Sequence, residues 1–186
     1  MVVLPSNRQE KAPVAVTMDD PRCRVIASRY GTIDNLYTMV TAMEPSAETP
    51  SLIMCMKTYG AEPVRRQLSA RMKMAVVRMG EVDLDDADAT IIGEAIAEDD
   101  EARVLGYDLV LGFFKALETG RYELYSCKPR HVMAAWRKYA ASAHMLQTRL
   151  KEQAEREQRD REYEQHRKQC ITHEEYKRRR QTIINQ

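Results

Sequence analysis

DLVLGFFKALETGRYELYSCKPRHVMAAWRKYAASA, residues 108–143, is the stretch on which the fold turns. Residues 105–119 carry apolar side chains over most of a helical circumference: Leu105, Tyr107, Leu109, Val110, Leu111, Phe113, Phe114 and Leu117. A helix apolar on all sides belongs at the centre of a core. Gly120 stops it. In the second half Val132, Trp136, Tyr139 and Ala143 recur at steps of three and four, which is one face of a second helix. Leu146 and Leu150 prolong that stripe. Pro129 falls in the first turn, where proline is tolerated, so this helix is expected to start at Ser126 or Cys127. The pattern is helix, glycine turn, helix. It predicts Phe113 and Phe114 packed against Trp136 and Tyr139, with Tyr122 and Tyr125 in the same helix-pair core and Trp136 fully inside. The run at 122–125 is too short to carry a sheet.

Upstream, the punctuation is helical throughout. Residues 1–20 show no periodicity and read as a mobile N-terminal arm. A short helix at 22–30 ends at Gly31. Ile33, Leu36, Tyr37, Val40 and Met43 make one apolar stripe, so residues 32–43 form the next helix, closed by Pro45. Thr49 as N-cap and Pro50 at the first helical position predict a third, with Leu52, Cys55, Met56 and Tyr59 buried and Gly60 at its end. Pro63 opens a longer helix to residue 79, with Val64, Leu68, Met72, Ala75, Val76 and Met79 inward. Ile91, Ile92, Ala95 and Ile96 mark a fifth. The fold class is therefore all-α: a compact multi-helix bundle over residues 21–146.

Beyond Met145 the texture changes. Residues 147–186, QTRLKEQAEREQRDREYEQHRKQCITHEEYKRRRQTIINQ, are almost free of apolar side chains. Glu152–Arg156, Glu155–Arg159, Glu157–Arg161 and Glu164–Lys168 are acid-first i, i+4 pairs, which support a helix by about 0.2–0.5 kcal/mol each. Only Ala154 and Tyr163 could serve a heptad seam, so a long coiled coil is not expected. Thr172 and Glu175 fit a capping box, with Ile171 and Tyr176 as its staple, and predict a short last helix at 172–184. This is a charged helical tail on the bundle.

Charge divides with the texture. Residues 1–120 hold 13 Lys and Arg against 19 Asp and Glu, a net −6. Residues 121–186 hold 16 against 9, a net +7, so the overall +1 hides an acidic body and a basic C-terminal part. Such polarity suits a chain that holds partners rather than one that transforms a substrate.

The longest apolar stretch is broken by Gly106, Asp108 and Gly112, short of the roughly 20 residues a membrane span needs. No signal peptide is read in the first residues, and a cytoplasmic setting is expected. The four cysteines, Cys23, Cys55, Cys127 and Cys170, form no CxxC pair and read as inert thiols. Eleven methionines against two phenylalanines describe an adaptable core.

Catalytic and metal patterns fail at particular positions. From Asp83 a calcium loop would find Asp85 and Glu94 in place. However, Ala87 stands where the fifth-position oxygen ligand belongs, and Asp88 where the sharp turn needs glycine. Carboxylates facing a helix N-terminus explain Asp85, Asp86 and Asp88 more simply. His166, Cys170 and His173 lack a fourth ligand, and the capping box interrupts their helix. His131 and His144 have no Cys or Asp beside them. No glycine-rich phosphate loop or GxSxG elbow is present. No enzyme, metal or cofactor is expected.

The basic features carry the binding expectations. Lys177, Arg178, Arg179 and Arg180 beside Tyr176 could meet phosphates or a protein partner. Arg65, Arg66, Arg71, Lys73 and Arg78 form a second candidate basic face.

Residues 45–145 also resemble a family. Asp108, Leu109, Phe113, Gly120, Tyr122, Tyr125, Val132, Trp136, Lys138 and Tyr139 match a pattern found in small helical proteins of unassigned function from gut Bacteroidetes and their phages and mobile elements. Pro50, Ser51 and Leu52, then Tyr59 and Gly60, match an upstream element. Glu123 replaces a glycine of the pattern, and the run from Ser126 to Arg130 replaces its Asp-Arg-x-Asp-Gly turn. In architecture the chain is similar to phage helicase-loader proteins, in which a short bundle docks on the replicative helicase. That likeness implies a replication accessory whose bundle binds protein and whose basic tail reaches a partner or nucleic acid. The alternative is a phage structural or assembly adaptor that binds protein only. A helix-turn-helix regulator fits less well, because the connection at Gly120 is too long and aromatic for the usual tight turn. No membrane partner is expected.

Overall fold

The computed structural model describes residues 20–80, 84–169 and 176–177. It is all-α, with eight helices among the described residues: α1 (Pro21–Tyr30), α2 (Ile33–Ala42), α3 (Leu52–Tyr59), α4 (Ala61–Arg78), α5 (Asp86–Glu98), α6 (Asp100–Val104), α7 (Tyr107–Glu118) and α8 (Pro129–Gln169). No strand occurs among the described residues, and 121–128 is irregular connection. None of the described helices is long and apolar enough to cross a membrane. The N-terminal arm, apart from Asp20, and most of the expected last helix lie outside the described residues.

α7 is the centre, as its sequence demands. Tyr107, Asp108, Leu109, Val110, Leu111, Phe113, Phe114, Ala116 and Leu117 are all buried. α4 and α5 pack on each other most extensively, α4 also lies against α7, and the first half of α8 covers α5 and α7. Val132, Trp136, Tyr139, Ala140 and Ala143 form the inward face of α8. The stripe ends there, because Leu146 is exposed.

A core helix cannot leave its end groups unpaired. Its C-terminus is closed by Gly120, whose φ of 69° suits glycine. Gly120 N–H donates to Leu117 (2.9 Å) and Arg121 N–H to Ala116 (3.0 Å), the double bond of a glycine-ended helix. At the N-terminus the expectation of one helix from 105 to 119 is corrected. α6 is a separate short helix capped by Asp99, whose carboxylate accepts from Glu101 N (2.9 Å) and Ala102 N (3.0 Å). Leu105 and Gly106 are extended and pair with the segment before α3: Leu52 N–H donates to Leu105 (2.9 Å) and Tyr107 N–H to Pro50 (2.9 Å). This pairing also corrects the start of α3. Pro50 and Leu52 are committed to the linker, so Ser51 rather than Thr49 is the N-cap.

The other edge of the linker is held by a side chain of α8. Gly106 N–H donates to Gln147 Oε1 (2.9 Å), while Gln147 Nε2 donates to Val104 (3.0 Å). Asp108 completes the end of α7. Its carboxylate accepts from Leu109 N (2.8 Å), Ser46 N (2.8 Å) and the Thr49 hydroxyl (3.1 Å), tying the α2–α3 loop to the core.

Close contact of α4 and α5 requires Gly93. A Cβ there would lie 2.2 Å from Ser69 Oγ, 2.9 Å from Ser69 N and 3.0 Å from Arg65 O. Two of these atoms are backbone, so a rotamer change cannot make room. In an open helix Gly→Ala stabilises by about 1 kcal/mol. Here Gly93→Ala is expected to destabilise by about 1–3 kcal/mol from overpacking, read as a lower urea midpoint with unchanged slope.

Candidate functional site

The five cations expected to form a basic face on α4 are all engaged by carboxylates. Arg65 pairs with Glu98 across to α5 (2.9 Å), and Arg66 with Glu62 one turn earlier (3.0 Å). Lys73 pairs with Asp86 at the start of α5. Arg65, Arg66 and Lys73 border a shallow cleft of about 320 Å³ whose other charged residues are Glu62, Asp86 and Glu94. Three cations thus face three carboxylates, which leaves no anion-selective field.

Arg71 corrects the expectation more sharply, because it is buried at 6 % exposure. Its position, three residues after Leu68 and four before Ala75, puts it on the inward arc of α4. Beneath the surface it pairs with Glu118 of α7, which also receives Arg78 at 3.2 Å. Burial favours the protonated Glu118, but Arg71 and Arg78 together outweigh it and hold the carboxyl below its ordinary 4.5. The triad ties α4 to the end of the core helix.

The aromatic helix-pair core divides at the α7–α8 corner. Phe113 meets Trp136 edge-on at 5.2 Å and Tyr139 at 5.5 Å, while Phe114 reaches this group through Phe113 at 5.5 Å. Trp136, Phe113 and Phe114 are fully buried. Tyr139 donates its hydroxyl to Leu109 O (2.6 Å), and burial raises its pKa. Tyr122 is half-buried, with its ring 6.0 Å from Tyr139. Tyr125 is the correction, since it is not core but 92 % exposed. Its ring touches His131 at 5.4 Å, and His131 Nδ1 lies 2.6 Å from Ser126 Oγ.

Arg121 in the same connection and Arg130, Arg137 and Lys138 on α8 are all exposed. None of these four forms a salt bridge among the described residues. Lys128, by contrast, is held by Asp88 of α5 at 3.0 Å. The charge ledger explains the difference. Residues 121–151 carry seven Lys and Arg against one carboxylate, Glu123. Residues 152–186 carry nine against eight. The basic surplus of residues 121–186 therefore sits on the corner and the bundle half of α8 rather than on the tail.

Beyond Gln147, α8 continues unbroken to Gln169. From Lys151 to Lys168 every side chain except Ala154 is exposed. At 1.5 Å per residue this arm is about 33 Å long. The four expected Glu–Arg and Glu–Lys pairs do not close. Instead Gln153 donates to Glu157 (2.9 Å), Gln158 to Glu162 (2.9 Å) and Arg159 to the Glu155 carbonyl (3.3 Å). Exposed ion pairs gain little over hydration, so their looseness is unsurprising. Tyr176 and Lys177 are exposed, while Arg178, Arg179 and Arg180 lie outside the described residues.

Burial pushes the Cys55 thiol up to about 12, which makes it a poor nucleophile. No group of three or more His, Cys, Asp or Glu able to hold a metal occurs among the described residues, although Asp83, Cys170 and His173 lie outside them. No family model, curated protein or solved structure matches the chain.

The lowered Glu118 pKa sets a pH dependence. A carboxyl depressed on folding contributes stability above its unfolded value and loses it as pH falls through the lower folded value. Glu118→Gln is expected to cost about 3 kcal/mol at pH 7, because it strands a buried guanidinium. The stability gap between wild type and variant should narrow as pH drops below 4.5, as measured by thermal melts across the acid range.

Proposed function

We propose that this chain is a non-enzymatic adaptor, in which the bundle binds one protein partner and the arm of α8 presents a second contact about 30 Å away. The observation that carries this reading is the arm itself. It is a helix exposed on nearly all sides, continuous with the core and anchored at its root by Gln147. A helix polar all round does not exist to bury a face of its own bundle; bridging to something else is the use such a helix serves. Its mixed charge keeps it in water and helical until a partner covers it.

Within that class, the likeness in architecture to phage helicase loaders favours a replication accessory of the helicase-loader type, and the family that residues 45–145 resemble favours one encoded by a phage or mobile element. The replicative helicase is then the partner of the bundle. The absence of a convergent nucleophile–base pair in the sequence fits a binding role. An assembly adaptor that binds only virion proteins is the competing outcome.

The test compares the full chain with one ending at Thr148, each mixed with the replicative helicase of the genome that encodes it. Among the described residues none beyond Ala143 is buried, so the shortened chain should keep its melting temperature within a few degrees. Full-length protein should co-elute with the helicase on gel filtration and change its loading onto DNA. The shortened chain should retain docking and lose the loading effect. A full-length chain that never associates with the helicase would refute the loader assignment. A shortened chain that supports loading in full would refute the role of the arm.

A further inference from the structure

We infer that the α7–α8 corner, with the outward face of the bundle half of α8, binds single-stranded nucleic acid. Tyr125 is the stacking platform, and Arg121, Arg130, Arg137 and Lys138 are the phosphate contacts. The inference does not rest on the adaptor reading, because none of these residues belongs to the arm.

Tyr125 is the first reason. A tyrosine 92 % exposed leaves nearly its whole ring in water. Its loop neighbour Tyr122 is packed against Tyr139, so the loop had a packed environment to offer. The ring is also held. One edge contact to His131, itself 2.6 Å from Ser126, fixes its place at the corner. A pre-placed aromatic loses little freedom when a base stacks on it.

The charges are the second reason. Arg130 and Arg137 are seven residues apart, as are His131 and Lys138. Each pair therefore falls on one side of α8 with about 10 Å along the axis. The Arg130–Arg137 side is opposite Val132, Trp136 and Tyr139, which face the core, and the His131–Lys138 side lies about 100° round the helix from it. The cations of α4 are neutralised by Glu62, Asp86, Glu98 and Glu118, and Lys128 by Asp88. The four at the corner are left with Glu123 as the one carboxylate in residues 121–151. An unneutralised cationic stripe beside an exposed ring is the combination that single strands use, the stripe tracking phosphates and the ring taking a base. A duplex hides its base faces and would leave Tyr125 unused. An acidic peptide would need the cations but not the ring.

Fluorescence anisotropy of the full-length chain tests this, with labelled oligothymidylate and oligouridylate of about 20 nucleotides. The two strands share their phosphates and differ in the 2′-hydroxyl and the thymine methyl, so a preference that oligodeoxyuridylate reproduces identifies the natural source as DNA or RNA. Four phosphate contacts predict binding about 50-fold weaker at 200 mM than at 50 mM salt. Tyr125→Ala should weaken it about 5-fold or more, at unchanged circular dichroism. Arg137→Glu combined with Lys138→Glu should weaken it further and flatten the salt dependence. Arg178→Gln, Arg179→Gln and Arg180→Gln together should weaken it less than Tyr125→Ala does. Four results would overturn the inference: no binding of either strand at low salt, indifference to Tyr125→Ala, loss confined to the tail variant, or equal competition by a duplex or by polyglutamate.

Discussion

Burying α7 on every side is the constraint from which the rest of the structure follows. A helix inside a core can turn to water at neither end, so its terminal donors and acceptors must be met by protein. The solution brings three parts of the chain to the N-terminal end of α7. The backbone before α3 pairs with Leu105 and Tyr107, Gln147 of α8 pairs with Gly106 and Val104, and the Asp108 carboxylate collects Ser46 and Thr49. At the far end the Glu118 carboxylate draws in Arg71 and Arg78 from α4. The helices around α7 are thus placed by polar closure of its ends as much as by apolar packing on its sides. Gln147 has a further consequence. Its two hydrogen bonds tie α8 to the bundle at the point from which the arm departs.

The surface is organised by what the core leaves over. On α4 and α5 the charges pair across helices and cancel. On the outward side of α8 there is no neighbouring helix to bring carboxylates near, so Arg130, Arg137 and Lys138 keep their charge. The α7–α8 connection adds Arg121 and the exposed Tyr125. The arm beyond Gln147 alternates sign and is close to neutral. Body, corner and arm therefore have separate electrostatic characters, although the body and α8 share one continuous helix.

Much of the fold is legible in the sequence because helical periodicity is a local signal. The all-apolar circumference of α7, the stripes of α2, α4 and α8 and the glycine stops at 31, 60 and 120 all appear where the spacing puts them. Contacts made between distant residues are not legible in this way. Nothing near Asp108 announces Ser46 and Thr49, some 60 residues earlier. Gln147 looks like the first residue of a polar tail until the linker it clamps is seen. The break at Gly106 is hidden because the apolar pattern runs on through it. Arg71 is a different case. Its place on the inward arc of α4 was readable, but counting it among its cationic neighbours obscured that. Tyr125 lies in a connection without periodicity, where nothing in the spacing separates a packed ring from an exposed one. The charge division was legible in amount but not in place, because a single count over residues 121–186 joins a carboxylate-poor stretch to the nearly balanced tail.

The central claim is that this chain meets nucleic acid with the flank of its bundle and keeps its arm for protein. Hydrogen exchange of the full-length protein, with and without a saturating single-stranded oligonucleotide, tests it most directly. The account predicts that α7 amides exchange slowest in both states and that the added protection falls on peptides covering residues 121–138, with none in 152–186. Protection gained in 152–186 and absent from the corner would contradict it.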